Sequence, residues 1–351
     1  MKYLFLVFAI ALLSECTSEQ EPSSEPSDEQ ADDQDKSALI SQLNSPWDIE
    51  SAEGTFFISE REGSITRWEE GTDPTRMDVE TSKDIAQIGE GGLLGLALFP
   101  DFSESRKAYA YHTYNADGGI MNRVVVLEMR NNVWEETETI IEGIPGSNFH
   151  NGGRMKIGPD EKLYVTTGDA QEQASAQDKT SLSGNILRLN QDGSIPEDNP
   201  DSDSYVYSYG HRNPQGLTWA DNGKLYASEH GSTNHDEVNQ IKAGANYGWP
   251  EIEGDEEAAD METPLYQTGN DTWAPSGMTS QNNTLYVAAL RGEAIYQLPL
   301  DDSEPERIVE DYGRIRDVEW IDGALYFITN STDGRGSPEE GDDQLVRAQL
   351  Q

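Results

Sequence analysis

The sequence predicts an all-β fold, a six-bladed β-propeller, and three observations carry that expectation. One pattern occurs six times from residue 46 onward: an apolar strand, a turn rich in Gly, Asp, Asn or Pro, and a second strand. The copies begin 40 to 62 residues apart, a spacing that accommodates about four short strands each. Few stretches have the length and the apolar period of a helix. A sandwich or barrel of similar hairpins is the alternative. No linker interrupts the series, so residues 41–351 read as one propeller domain.

The copies are PWDIESAEGTFFISE (46–60), LLGLALFPDF with AYAYHTY (93–114), GRMKIGPDEKLYVTTGD (153–169), QGLTWADNGKLYASEHG (215–231), SGMTSQNNTLYVAALRG (276–292) and RDVEWIDGALYFITNS (316–331). In at least four of them, alternating residues flank a GPDEK, ADNGK, QNN or IDG turn, a hairpin signature. Further short strands are expected at 124–129, 186–190, 294–300 and 344–350.

The chain of 351 residues carries 66 Asp and Glu against 24 Lys and Arg, a net charge of −42. So negative a surface repels phosphate backbones and acidic lipid headgroups, which excludes nucleic acid and anionic membranes as favoured partners. Aromatic residues make up 9% of the chain, too much ring for a disordered one. Lys2 and the apolar run from Leu4 to Leu13 form an expected signal peptide over residues 1–16, too short to span a bilayer. Cys16, the only cysteine, follows it as in a lipoprotein processing site, although Glu15 stands where a small residue is expected. The expected location is the cell surface or periplasm, with any membrane attachment through a lipid on Cys16. Residues 17–40 read as an acidic linker. Its stretch 17–36 holds eight acids and one Lys, so most of the −42 belongs to the folded part. That distribution is the one expected of a protein working in high salt.

In a hairpin, the residues before the first strand and after the second lie at one end, and the turn lies at the other. His150, Arg212 and Arg314 precede hairpins. Asp169, Glu229–Asp236 and Arg291 follow them. They are therefore expected on one face, at one mouth of the central channel. There, His150 and Asp169 can meet as an imidazole and its orienting carboxylate. Arg212 and Asn213 join that face. Arg291, Arg314 and Arg316 bring the arginines to four, a concentration that fits a ligand with several carboxylates. Arg–Asp pairing between blades is the other reading. Glu229, Asp236 and Glu237, with carbonyls of the tight Gly231-Ser232 loop, suit calcium, while a solvated acidic face is the alternative.

The motifs EGGLLGLALFPDF, HNGGRMKIGPD, GHRNPQGL, SEHG…DEVN…GANYGWP, APSGM, ALRG and GRIRDV, in order from about residue 45 onward, resemble the soluble quinoprotein glucose and aldose sugar dehydrogenases of the glucose/sorbosone dehydrogenase family. The resemblance implies a six-bladed propeller that binds pyrroloquinoline quinone (PQQ) and calcium. It implies oxidation of the C1 hydroxyl of an aldose to a lactone, with an external electron acceptor. On that resemblance His150 matches the general base, a residue that also borders the cofactor, and Asp169 its partner. Arg212 and Asn213 match the pair at the quinone carbonyl, and Arg314 and Arg316 match ligands of the cofactor carboxylates. Gly231 and Ser232 match the carbonyls that hold the PQQ calcium, while Glu229, Asp236, Glu237 and Tyr247 fall near a further calcium site. Four positions depart from the glucose dehydrogenase pattern: Glu90 for Gln near cofactor and substrate, Arg291 for a Lys against the cofactor, Ser232 for Pro, and Phe149 for an Asp that touches sugar. Glucose specificity is therefore not expected to carry over. Two further readings remain at this stage, a metal-dependent lactonase and a non-catalytic propeller that binds glycans or proteins.

Overall fold

The computed structural model describes residues 38–301 and 303–350. The chain divides after Lys36, and the first unit, residues 1–36, lies outside the described residues, as do the expected signal peptide, Cys16 and most of the expected linker. At 38–40 the linker expectation is corrected: Ala38–Ile40 is a strand paired antiparallel with Leu345–Arg347. The acidic run has ended there, and Leu39 and Ile40 supply apolar surface that joins a core cluster.

The described chain is almost entirely strand, with one turn of α-helix at Phe102–Ser105 and a short 3-10 segment at Gln173–Gln177. All six expected hairpins are present. They are formed by Pro46–Ala52 with Thr55–Glu60, Leu93–Leu98 with Lys107–Ala116, and Met155–Ile157 with Leu163–Thr167. The others pair Pro214–Trp219 with Leu225–Glu229, Pro275–Gln281 with Thr284–Ala289, and Ile315–Ile321 with Ala324–Thr329. Two-residue turns with both residues at positive φ close the hairpins at Glu53-Gly54, Asn282-Asn283 and Asp322-Gly323, the geometry whose twist matches that of paired strands.

Two more strands extend most hairpins into antiparallel meanders, as in Met155–Ile157, Leu163–Thr167, Asn185–Leu189 and Val206–Tyr209. Four sheets have four strands. A fifth has eight, two meanders joined where Thr75–Glu80 pairs parallel with Val133–Pro145. Ala38–Ile40 completes the sheet of the C-terminal hairpin, so both ends of the domain share one sheet.

Apolar clusters lie between successive meanders. Tyr164 and Ile186 pack on Leu217 and Ala227, and Val238 packs on Met278 and Val287. Ile328 and Leu345 of the last meander pack on Ile49 and Ile58 of the first, which closes a ring. This is the β-propeller arrangement, in which the innermost strands converge on an axis.

The axis is filled by charge. Asp48, Arg154 and Asp317 come from three different hairpins, and all are buried. Arg154 pairs with Asp48 and lies 3.1 Å from Asp317 Oδ2. Its Nε donates to the Gln215 carbonyl at 2.9 Å, and its guanidinium lies 4.2 Å from the Trp47 ring centroid. Asp48 also accepts from the Leu96 amide at 2.8 Å, and Asp317 from the Ile49 amide at 2.9 Å. Gly277 is required here, because a Cβ would lie 1.6 Å from Asp317 Oδ1.

Two residues further along the same three hairpins, on the side that period-two alternation repeats, stand Glu50, Lys156 and Glu319. Lys156 pairs with Glu319 and lies 3.6 Å from Glu50. Burial pushes the Glu50 carboxyl up to about 7, Lys156 opposing and Glu319 adding to the rise. A carboxyl raised in the folded state costs stability as pH climbs from its ordinary value toward 7, because the unfolded chain releases the proton first. Glu50→Gln is therefore expected to gain about 1–3 kcal/mol relative to the parent between pH 5 and 8, with no gain near pH 4. Denaturant titrations across that range check it, and a gain that does not depend on pH would contradict it.

Candidate active site at one mouth of the axis

The expected face exists. Glu90, His150, Arg212, Gly231, Ser232, Asp236, Arg291 and Arg314 all line one open cleft of about 250 Å³. A small enclosed cavity adjoins it, walled by Trp47, Arg61, Glu90, His230, Arg316 and Arg335, among others. Pre-hairpin and post-hairpin residues meet here because the meanders place both on the same end of the propeller.

His150 and Asp169 are joined as expected. His150 Nδ1 lies 2.7 Å from Asp169 Oδ1, with the imidazole 19% exposed and the carboxylate buried. Asp169 also accepts from the Gln171 amide at 2.8 Å and from Trp249 Nε1 at 2.9 Å, so its orientation is fixed from three sides. A carboxylate accepting at Nδ1 selects the Nδ1–H tautomer and leaves the Nε2 lone pair free. His150 sits at φ 61°, a left-handed conformation that non-glycine residues seldom adopt. Its amide donates to Glu90 Oε2 at 3.0 Å, and its carbonyl accepts from the Ala170 amide at 3.2 Å.

The Arg212 guanidinium lies 5.3 Å from the Trp249 ring centroid, so Trp249 contacts both Arg212 and Asp169. Asn213 is buried below, its Oδ1 accepting from the Gly152 amide at 3.1 Å. Arg314 pairs with Asp333 at 2.8 Å, but the two flank one hairpin, Ile315–Ile321 with Ala324–Thr329, so the pair lies within a blade and not between blades. Arg316 is held by Asn330 Oδ1 at 2.9 Å and Gln215 Oε1 at 2.9 Å. Arg291 is exposed at the rim and makes no ion pair among the described residues.

The electrostatics of this wall favour an anion. Burial pulls the Arg316 guanidinium down to about 9, with Arg314 and Arg61 adding to the fall against Asp333. Burial holds His230 at about 4, so it is neutral. Burial pushes Glu90 and Asp333 up, but their cationic neighbours outweigh it and hold both below the ordinary carboxylate range. Arg212 Nε, Asn213 Nδ2 and His230 Nε2 are buried without a hydrogen-bond partner, a costly state that a polar ligand would relieve.

The acidic residues expected near calcium separate into two places. Asp236 accepts from the Gly231, Trp273 and Ala274 amides and from Thr272 Oγ1, and so ties three loop segments together. Glu229 and Glu237 line an adjoining pocket with Tyr247. Glu229 accepts from His211 Nδ1 at 2.8 Å and from the Arg212 amide. Burial pushes Glu237 up to about 8, and Glu229 adds to the rise. The Tyr247 hydroxyl donates to the Gln240 carbonyl at 2.6 Å. Ser232 is tied through its amide and hydroxyl to Glu253. Among the described residues, no group of three or more His, Cys, Asp or Glu side chains stands close enough to hold a metal ion.

Arg61, Trp249, Asp333 and Arg335 were missed by the sequence reading. Extending the post-hairpin rule to the first copy, which ends at residue 60, and to the sixth, which ends at residue 331, would have found Arg61, Asp333 and Arg335.

The glucose/sorbosone dehydrogenase family model matches residues 43–346. The chain belongs to the glucose/sorbosone dehydrogenase family. It is 34% identical over 257 residues to quinoprotein glucose dehydrogenase B of Acinetobacter calcoaceticus, a match covering 63% of this chain and 53% of that protein, about half its length. It is 30% identical over 338 residues to the aldose sugar dehydrogenase of Escherichia coli K12, covering 84% of this chain and 90% of that protein. Among solved structures, the PQQ-bound aldose sugar dehydrogenase of Streptomyces coelicolor superposes with a TM-score of 0.83 at 38% identity, over 89% of this chain and 96% of that one.

Proposed function

We propose that this member of the family is a PQQ-dependent aldose dehydrogenase on a six-bladed propeller. Six four-stranded meanders, with an apolar cluster closing the last on the first, support the blade count. One observation carries the function. In a chain with only 24 basic residues, six arginines (61, 212, 291, 314, 316 and 335) line one cleft and its inner cavity, beside an imidazole oriented by a buried carboxylate.

The wall fits PQQ, an anion with several carboxylates. Arg314, Arg316 and Arg291 would hold those carboxylates, and Glu90, Arg212 and Asn213 would border the quinone, the unpartnered Arg212 Nε and Asn213 Nδ2 being donors that a bound polar group satisfies. The Gly231 and Ser232 carbonyls would hold the calcium beside it; a further calcium would draw on Glu229 and Glu237 in the pocket with Tyr247, whereas Asp236 is engaged in tying loops together. The raised Glu237 carboxyl marks an anionic pair that a cation would relieve. When bound, PQQ supplies the quinone that takes up hydride from C1 of the aldose.

The chain's own part is proton handling and positioning. His150 Nε2 takes the proton of the C1 hydroxyl. Asp169 holds the ring in the required tautomer and stabilises the imidazolium. Arg212 offers positive charge where negative charge develops, and a calcium held by the Gly231 and Ser232 carbonyls would add to it.

Reconstitution with PQQ and calcium, followed by a dye-linked assay over a panel of aldoses and a salt series, tests the proposal. Dye reduction that requires both PQQ and sugar is expected. Lactone hydrolysis without PQQ, or no uptake of PQQ, would sink it.

A further inference from the structure

We infer that Arg335 is a positioning residue for His150, acting through Glu90, and not a ligand of the cofactor. Its consequence for turnover rests on the proposed dehydrogenase reading, whereas its structural consequence does not.

Arg335 Nη1 lies 2.6 Å from Glu90 Oε1, and the other oxygen of the same carboxylate accepts the His150 amide at 3.0 Å. The Arg335 guanidinium lies 5.2 Å from the Phe149 ring centroid, so it touches the residue before His150 as well. The two segments it brings together are pressed close. The Glu90 amide donates to the Asn148 carbonyl at 2.8 Å, and a Cβ on Gly89 would stand 2.0 Å from that carbonyl oxygen. Across His150, a Cβ on Gly168 would stand 2.0 Å from the His150 carbonyl oxygen.

This matters because His150 is held at φ 61°. A strained backbone persists only where its surroundings over-determine it. Glu90 supplies the hydrogen bond to the amide, Ala170 the one to the carbonyl, and Asp169 the one to the ring. Of these three, only the Glu90 contact depends on a second charged side chain. Arg335 is itself anchored, its amide donating to Asp333 Oδ1 at 2.9 Å, while Asp333 Oδ2 accepts from Arg314. Arg335 therefore links the base segment to Arg314, through its side chain to Glu90 and through its backbone amide to Asp333. Without Arg335, the Glu90 carboxylate loses its counter-ion and its fixed direction, and the His150 segment loses a restraint.

Hydrogen exchange at the His150 amide, measured on the protein without cofactor, reads the restraint directly. Arg335 is 46% exposed, so its replacement leaves the core intact. Arg335→Gln is expected to speed His150 exchange about tenfold, and Arg335→Lys, which keeps a charge for Glu90, to restore most of the protection. In the PQQ-loaded enzyme, Arg335→Gln is expected to lower kcat about tenfold through misplacement of the base, with KM for the aldose and PQQ affinity within about twofold. Adding Arg335→Gln to Glu90→Gln is expected to cost nothing further, because the carboxylate it holds is gone. Unchanged His150 exchange in Arg335→Gln would overturn the inference, and so would PQQ affinity falling in step with kcat, which would make Arg335 a cofactor ligand. If the parent protein shows no PQQ-dependent activity, the functional reading fails, and the exchange comparison still decides the role of Arg335.

Discussion

His150→Ala is expected to lower PQQ-dependent aldose oxidation by about 10²- to 10⁴-fold, the range for loss of a positioned general base. The expectation follows from the pair geometry. Asp169 fixes Nδ1 at 2.7 Å and leaves Nε2 as the free basic nitrogen in the cleft. Uptake of PQQ should be unaffected, since the arginine wall remains. Asp169→Asn is the informative companion. The amide can still take the Trp249 hydrogen bond but cannot stabilise an imidazolium, so kcat should fall with little change in KM. Steady-state kinetics with a cofactor titration separate these outcomes. Full activity in His150→Ala would remove His150 from the base role.

Arg154→Ala is expected to have the largest effect on stability, a loss of about 3–5 kcal/mol. Arg154 sits between Asp48 and Asp317 in the axis, and all three side chains are buried. Removing the cation leaves two buried carboxylates facing each other without compensation. Burial already raises Asp48, with Arg154 opposing, so that opposition would be lost. Adding Asp48→Asn should recover a substantial part of the loss, because it removes one of the stranded charges. Denaturant unfolding of the single and double variants checks this. A loss below about 1 kcal/mol for Arg154→Ala would show that the axial network does not bear on stability.

The hairpins were legible in the sequence because the inner strands carry the strongest signals. Leu163–Thr167 and Thr284–Ala289 are nearly all buried and are bounded by turn residues that accept positive φ. The outer strands were less legible. Thr75–Glu80 is mostly exposed, and Glu306–Val309 is short and half-exposed, so neither shows a clear apolar alternation. Ala38–Ile40 was hidden by the acidic run before it, since three residues carry no period and their pairing partner lies about 300 positions away.

Legibility of the site followed the rarity of its residue types. Basic residues are scarce in this chain, so Arg212, Arg291, Arg314 and Arg316 stood out, and the structure brings them to one end of the propeller, together with Arg61 and Arg335, which lie outside the quoted motifs. Carboxylates are abundant, so the sequence could not separate Asp236, which anchors loops, from Glu229 and Glu237 in the pocket beside it. Nor could it mark Asp48 and Asp317 as buried partners of Arg154. Glu90 shows a further limit. Its position was recognisable, but its engagement with Arg335 and the His150 amide depends on a contact across 245 residues.

The most direct test is an anaerobic titration of the PQQ-loaded protein with an aldose, followed by the absorbance of the bound cofactor. A sugar-dependent spectral change, complete at one equivalent of sugar per bound PQQ and slowed by orders of magnitude in His150→Ala, is expected. A cofactor spectrum indifferent to every aldose, or a change equally fast in His150→Ala, would contradict the assignment of this cleft as the site where His150 works on a sugar beside the quinone.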